Sequence, residues 1–263
     1  MRKLSRRNVA DDNTTTLLMT HQPNAADSTP AIAGSDTALG SIVHSQTQMD
    51  YVAQAFRDGE REDPPVRDEY AFGQPVYATE TVRGTPYAVI GVVYDTRLVD
   101  PDQGRDGPRL SAPDQEMFVP GYVNEKQTMI GIALLGTAEI DADPHRQPDD
   151  DGNGEPQSFK TVSQSMPRWT LDIDDFVYAL SDDGFRQFHT YDGTLSLEYY
   201  ERLIATANQF GPEVALAIID RLRRLTGADA VLDVVEKKVR WQSSESRGVI
   251  RCRVTRATSR VHR

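Results

Sequence analysis

Between Leu39 and Thr137 the chain offers short apolar runs cut by turn residues rather than long stretches of helical period, which confines this region to a β architecture. Gly40–Ser45 contains Ile42 and Val43, and Tyr51–Phe56 alternates Tyr51, Ala53 and Ala55 with Val52, Gln54 and Phe56. Phe72-Gly73-Gln74-Pro75 leads into Val76–Thr79. The pair Arg83-Gly84 separates that run from Tyr87–Tyr94 and predicts a hairpin. Thr128–Leu135 closes the series. Gly91 and Gly131 interrupt apolar strands, where small barrels place bends or bulges. Five or six such strands without long intervening helices predict a small β-barrel.

Beyond Trp169 the period moves toward that of a helix. Ile173, Phe176, Val177 and Leu180 fall at i, i+3, i+4 and i+7 behind Thr170 or Asp172 as N-cap, which predicts a helix. Leu197, Tyr200, Leu203, Ile204 and Ala207 predict a second helix, capped by Thr194 or Ser196 and ended by Gly211. Pro212 suits the first turn of a third, with Leu216, Ile219, Leu222 and Leu225 on one face and Gly227 as its stop. Ala230–Trp241 offers Val231, Val234, Val235, Val239 and Trp241 for a fourth.

The expected fold class is α+β: a small N-terminal β-barrel, then a C-terminal helical unit, with disordered ends. Residues 1–38, rich in Asn, Thr, Asp, Ala, Pro and Ser, read as a disordered tail. Residues 39–140 read as the barrel, 141–168 as an acidic linker, 169–241 as the helical unit and 242–263 as a basic tail. Asp100–Gln115 and Asp141–Gln157 read as mobile loops. In Gly248–Thr255, Ile250, Cys252 and Val254 alternate with Val249, Arg251, Arg253 and Thr255, a strand pattern that either adds an edge strand or orders only on a partner.

The charge is unevenly distributed. Overall it is −11, but residues 237–263 hold nine basic side chains and one acid, so the tail is +8 and residues 1–236 carry −19. Acidity therefore argues against phosphate binding by the body and not by the tail. The 27 Asp and 24 Arg, against 13 Glu and 5 Lys, fit a GC-rich genome or a high-salt cytoplasm. Arg247, Arg251, Arg253, Arg256, Arg260 and Arg263 are the candidate contacts, either to nucleic acid or to an acidic protein surface. The bland alternative is a solubilising tail, or one that folds back on the body.

No catalytic motif is present in the sequence. None of the five lysines follows a glycine, which removes the phosphate-cradling loop G-x-x-x-x-G-K-[ST]. Asp149–Glu155 opens like a calcium loop, but Lys160 stands where the bidentate glutamate is required. His21, His44, His145, His189 and His262 are scattered without ligand spacing, so no metal site is expected. Cys252, the single cysteine, excludes an internal disulfide and reads as a strand residue rather than a nucleophile. Asp174-Asp175 and Asp182-Asp183 read as solvated acidic surface. Trp169, Phe176, Tyr178, Phe185, Phe188, Tyr191, Tyr199 and Tyr200 read as core rather than a stacking platform. No cofactor is expected and the chain is expected not to be an enzyme. Polar, acidic residues follow the basic start where a leader's apolar segment should be, and Met129–Leu135 and Val214–Ile219 fall far short of the ~20 residues of a membrane span. A cytoplasmic location is the expectation.

The runs Leu39–Val43, Tyr51–Phe56, Val66–Ala78 with Phe72-Gly73-Gln74-Pro75-Val76-Tyr77, and Ala88–Tyr94 with Ile90-Gly91-Val92-Val93 resemble the HerA/ATP-synthase (HAS) barrel. That domain opens HerA-type DNA-translocating ATPases and the catalytic subunits of rotary ATP synthases, where it crowns the ring and docks partners such as an associated nuclease. The resemblance implies a stand-alone barrel without the motor, since the phosphate loop is missing. It further implies an accessory module that docks a DNA-processing ATPase or nuclease through its barrel, with homo-oligomerisation as a second mode. The alternative is a nucleic-acid-binding protein that uses the barrel face and the arginine-rich tail.

Overall fold

The computed structural model describes residues 37–100, 127–141, 158–191, 193–227 and 229–243. The expected disordered tail, most of the two acidic loops, the calcium-like Asp149–Glu155 and the basic tail beyond residue 243 lie outside the described residues.

Five long strands follow one another: β1 (Ala38–Thr47), β2 (Asp50–Ala55), β3 (Pro75–Val82), β4 (Thr85–Val99) and β5 (Gln127–Ile140). Two shorter ones come later, β6 (Phe159–Ser163) and β7 (Phe176–Ala179). Every pairing is antiparallel, in the order β2-β1-β7-β3-β4-β5, and β2 pairs back onto β5 to close a six-stranded barrel. β6 extends the sheet on the far half of β5, from Thr137↔Ser163 to Ile140↔Phe159.

Arg83 and Gly84, both at positive φ (53° and 82°), form the two-residue turn between β3 and β4 that the sequence predicts. The expected irregularities also occur. Register shifts fall at Ile90/Gly91 and Val93/Asp95, and the second lies opposite Gly131. Gly40 is required by close approach, since a Cβ there would stand 2.0 Å from the Gln54 carbonyl oxygen on the neighbouring strand.

The sequence expectation fails at residues 169–180. Instead of a helix, Phe176–Ala179 forms β7, wedged between β1 (Ser41↔Phe176, Gly40↔Val177) and β3 (Val76↔Ala179, Tyr77↔Tyr178). Val177 and Ala179 point into the barrel, while Phe176 and Tyr178 pack outside it, so the working period is two. Residues 39–140 alone therefore do not close the barrel. The expected linker 141–168 likewise contains a strand, β6, and among the described residues the helices begin at Asp182 rather than 169.

Two apolar clusters result. Inside the barrel lie Leu39, Ile42, Tyr51, Val76, Val89, Val93, Ile130, Ile132 and Val177, joined by Leu171 from the chain entering β7 and flanked by Tyr70 from the β2–β3 connection. The interior is filled with side chains. The outward residues Tyr77, Ala88, Ile90, Val92, Tyr94, Leu135 and Tyr178 form the second cluster with the helices. β4 is thus apolar on both faces because each faces a core.

Helix α1 (Asp182–His189) is capped by the Ser181 hydroxyl, which accepts from the Gly184 amide at 3.1 Å. A two-strand turn, β8 (Thr190–Tyr191) and β9 (Thr194–Leu195), leads to α2 (Tyr200–Thr206). One 3₁₀ turn then joins it to α3 (Gly211–Thr226), which begins with Pro212 and stops at Gly227 (φ 85°). On α3 the buried face is Val214, Ala215, Ile218, Ile219 and Leu222, so Leu216 and Leu225 sit at its margins. Helix α4 covers residues 230–243. It buries Leu232, Val235 and Val239 and is tied to α3 through Arg223 with Asp233 and Glu236.

The tight crossing at Gly40 gives a direct test. Gly40→Val is expected to cost upward of ~3 kcal/mol in denaturant unfolding, because the backbone of β2 cannot yield by the ångström or more required. An unfolding midpoint equal to that of the native chain contradicts the β1–β2 packing.

Candidate functional site

The six candidate arginines, Arg247, Arg251, Arg253, Arg256, Arg260 and Arg263, lie outside the described residues, as do Cys252, His21, His145 and His262. The two remaining histidines sit apart. His44 is exposed on β1 opposite Val52, and His189 is fully buried at the end of α1. Among the described residues, no group of three or more His, Cys, Asp or Glu side chains is placed to hold a metal ion.

His189 has both ring nitrogens engaged. Nδ1 stands 2.7 Å from the Phe185 carbonyl oxygen and Nε2 stands 2.5 Å from the Tyr199 hydroxyl. A carbonyl only accepts, so Nδ1 carries the proton and Tyr199 donates to Nε2. The rings of Phe185, Phe188 and Tyr199 surround it. Burial holds the imidazole down to about 4, against the opposing pull of the Phe185 carbonyl, and the site keeps it neutral.

A second polar joint lies beside it. The buried Gln164 amide donates to the Phe188 and Ser196 carbonyls (3.3 and 2.9 Å), and its oxygen accepts from the Ser196 hydroxyl and the Glu198 amide (3.2 and 2.8 Å). Arg202 on α2 donates to the carbonyls of Leu135 and Gln164 at 3.2 and 2.5 Å, linking the helix to β5. Gln164 and His189 are satisfied by the fold itself and fit a structural role, whereas the buried Arg202 Nε has no hydrogen-bond partner among the described residues.

The expected acidic pairs separate. Asp182 meets Arg221 at 2.7 Å and Asp183 meets Arg186 at 2.8 Å, both in the first turn of α1. Asp175 is half-buried and accepts from the Asp172 amide at 2.6 Å. Burial first, and then Asp172 and Asp174, push its carboxyl up; burial, Asp175 and Asp172 do the same to Glu80. On the outer wall Tyr94 donates to Asp50 Oδ1 at 2.8 Å, and burial pushes the Asp50 carboxyl up. Of the expected aromatic core, Phe185, Phe188 and Tyr199 are fully enclosed and Tyr178 is buried. Phe176, Tyr200 and Trp169 are half-buried; nothing is assigned to the Tyr191 side chain.

What remains is surface. The pairings Pro75↔Val92, Gln54↔Met129 and Arg97↔Met129 place the end of β2, the start of β3, the end of β4 and the start of β5 at one end of the barrel. The β2–β3 connection at this end displays Val66 (58% exposed) and Phe72, and the end of β4 displays Leu98 (81%) and Val99. Val66 sits in a turn closed by its own amide donating to Glu69 Oε2 at 2.8 Å. Met166 and Ile173, and Val231, Val234 and Trp241 on α4, are the other exposed large apolar residues described. The barrel rim is distinguished because two separate segments bring their apolar side chains to one end of the barrel. Sequence reading missed it because Asp95, Thr96 and Arg97 end the apolar run before Leu98 and Val99, whose exposure depends on where β3 starts.

The buried imidazole generates a pH test. Its folded value of about 4 lies below the unfolded ~6.5, so its neutral-state contribution is complete above pH 6.5 and is lost as pH falls toward 4. The loss is about 3 kcal/mol. His189→Gln is expected to flatten that part of the stability–pH curve, and an unchanged curve contradicts the assignment.

Residues 23–250 match a domain of unknown function, DUF8166, so the match runs through both barrel and helices. No curated protein matches the chain. The described residues contain no helix long and apolar enough to cross a membrane. With most of its length inside that match, the chain belongs to the DUF8166 family.

Proposed function

We propose that this protein is a non-enzymatic assembly module that docks a DNA-processing ATPase of the HerA type, or its associated nuclease, through the rim of its barrel. The observation that carries the reading is the exposure of Leu98 and Val99 where β4 outruns β3, and of Val66 and Phe72 in the β2–β3 connection that spans the same end of a closed barrel. A filled interior directs binding to the outside of the barrel, where exposed apolar side chains supply the gain from desolvation. Burying a patch of this kind against a partner contributes about 25 cal/mol per Å² before association costs are subtracted.

The class of partner rests on the resemblance of the four strand segments to HAS barrels, which use their barrels for assembly. The closed six-stranded barrel is compatible with that resemblance. In this reading the C-terminal arginines add long-range attraction that salt weakens. The site of action is the cytoplasm, where such ATPases work.

Gentle co-purification of the full chain from its host tests the proposal. The expected result is recovery of a HerA-type ATPase or its nuclease, reduced at least ~10-fold by Val66→Asp, an exposed change expected to leave the fold intact. Recovery of neither enzyme with the native chain overturns it, and so does equal recovery by the variant. Recovery of DNA alone, lost on deleting residues 247–263, replaces it with the nucleic-acid reading.

A further inference from the structure

We infer that the free edge of β4 at Asp95–Val99 is a self-complementary strand edge whose occupant is the same edge of a second copy of this chain. β3 covers β4 only as far as Pro75↔Val92, and the Gly73 and Gln74 backbone extends that cover to Val93. β4 continues to Val99, paired on its other side to β5 from Asp95↔Gly131 to Val99↔Gln127. Among the described residues no strand pairs with the β3-facing edge of Asp95–Val99. Thr96, Arg97, Leu98 and Val99 are all exposed. Such an edge carries unpaired backbone donors and acceptors and invites another strand.

The order of charges selects the strand. Asp95 and Arg97 lie on one face two residues apart and touch within the chain at 2.5 Å. In a two-fold antiparallel pair centred on Thr96, Asp95 of each copy stands opposite Arg97 of the other. The two intrachain pairs become a ring of four alternating charges. Leu98 lies on the opposite face with Thr96, away from this charge ring.

The neighbouring symmetric registers are disfavoured. Centring on Arg97 sets the two guanidinium groups against each other, and centring on Asp95 does the same to the two carboxylates. The charges that discourage unrelated strands therefore specify one register with a second copy. The inference does not rest on the ATPase reading, although it uses Leu98 and Val99 of the same rim, and its readout requires no other protein.

The test is sedimentation equilibrium of the full chain at low and high salt, with circular dichroism to confirm folding. The native chain is expected to dimerise, less strongly at high salt. Arg97→Asp and Asp95→Arg are each expected to weaken dimerisation about 10-fold by setting like charges opposite each other. The double variant, which restores the alternation with signs reversed, is expected to return to within about threefold of native. A native chain that stays monomeric at all concentrations overturns the inference, as do single variants that dimerise like the native chain. Should a single variant fail to fold, the native salt dependence and the double variant decide the matter by the same criteria.

Discussion

The structure depends on one strand of four residues arriving late in the chain. β7 supplies the pairing that β1 and β3 cannot make with each other, and without it the barrel is an open sheet with two bare edges. Because β7 runs directly into Leu180 and the Ser181 cap of α1, closing the barrel also sets where the helices begin. Its alternation serves both cores: Val177 and Ala179 fill the interior, and Tyr178 stacks on Tyr77 beneath the helices at 5.3 Å between ring centroids. Barrel and helices are therefore one cooperative body rather than two modules joined by a linker.

The polar contacts between the layers follow from the same geometry. A helix laid on a barrel wall buries backbone carbonyls that the sheet does not use, and each costs free energy unless paired. Gln164 and Arg202 pair with the carbonyls of Leu135, Phe188 and Ser196, and His189 pairs with that of Phe185 within α1. These residues look like a catalytic constellation when named together. Apart from Arg202 Nε, which has no partner among the described residues, their hydrogen bonds are spent inside the fold, and function is sought on the surface.

Much of the barrel was legible in the sequence because its local signals agree. The Arg83-Gly84 turn, the glycines at the two register shifts, and the alternation of Tyr51, Ala53 and Ala55 each name a strand feature with a physical cause. β7 was not legible, since Ile173, Phe176, Val177 and Leu180 satisfy helical spacing and the competing period of two extends over four residues only. What decided between them was a distant vacancy between β1 and β3, which no local pattern records. α1 was missed for a related reason: Asp182, Asp183, Gly184 and Arg186 dilute the apolar signal of Phe185 and Phe188. The rim was not legible, because the exposure of Leu98 depends on where a neighbouring strand starts. The arginine tail was fully legible as charge, but its candidate residues fall outside the described structure.

The functional account follows from the division between a filled barrel interior and an exposed apolar rim, and it holds only if barrel and helices are a single unit that presents the rim rigidly. Native-state hydrogen exchange on the full chain measures this directly. The account predicts that the amides of Val177, Tyr178 and Ala179 open with the same free energy as those of Tyr77, Ile90 and Ile218. Exchange of β7 well before the rest of the barrel, or of the helices while the barrel stays closed, would contradict it.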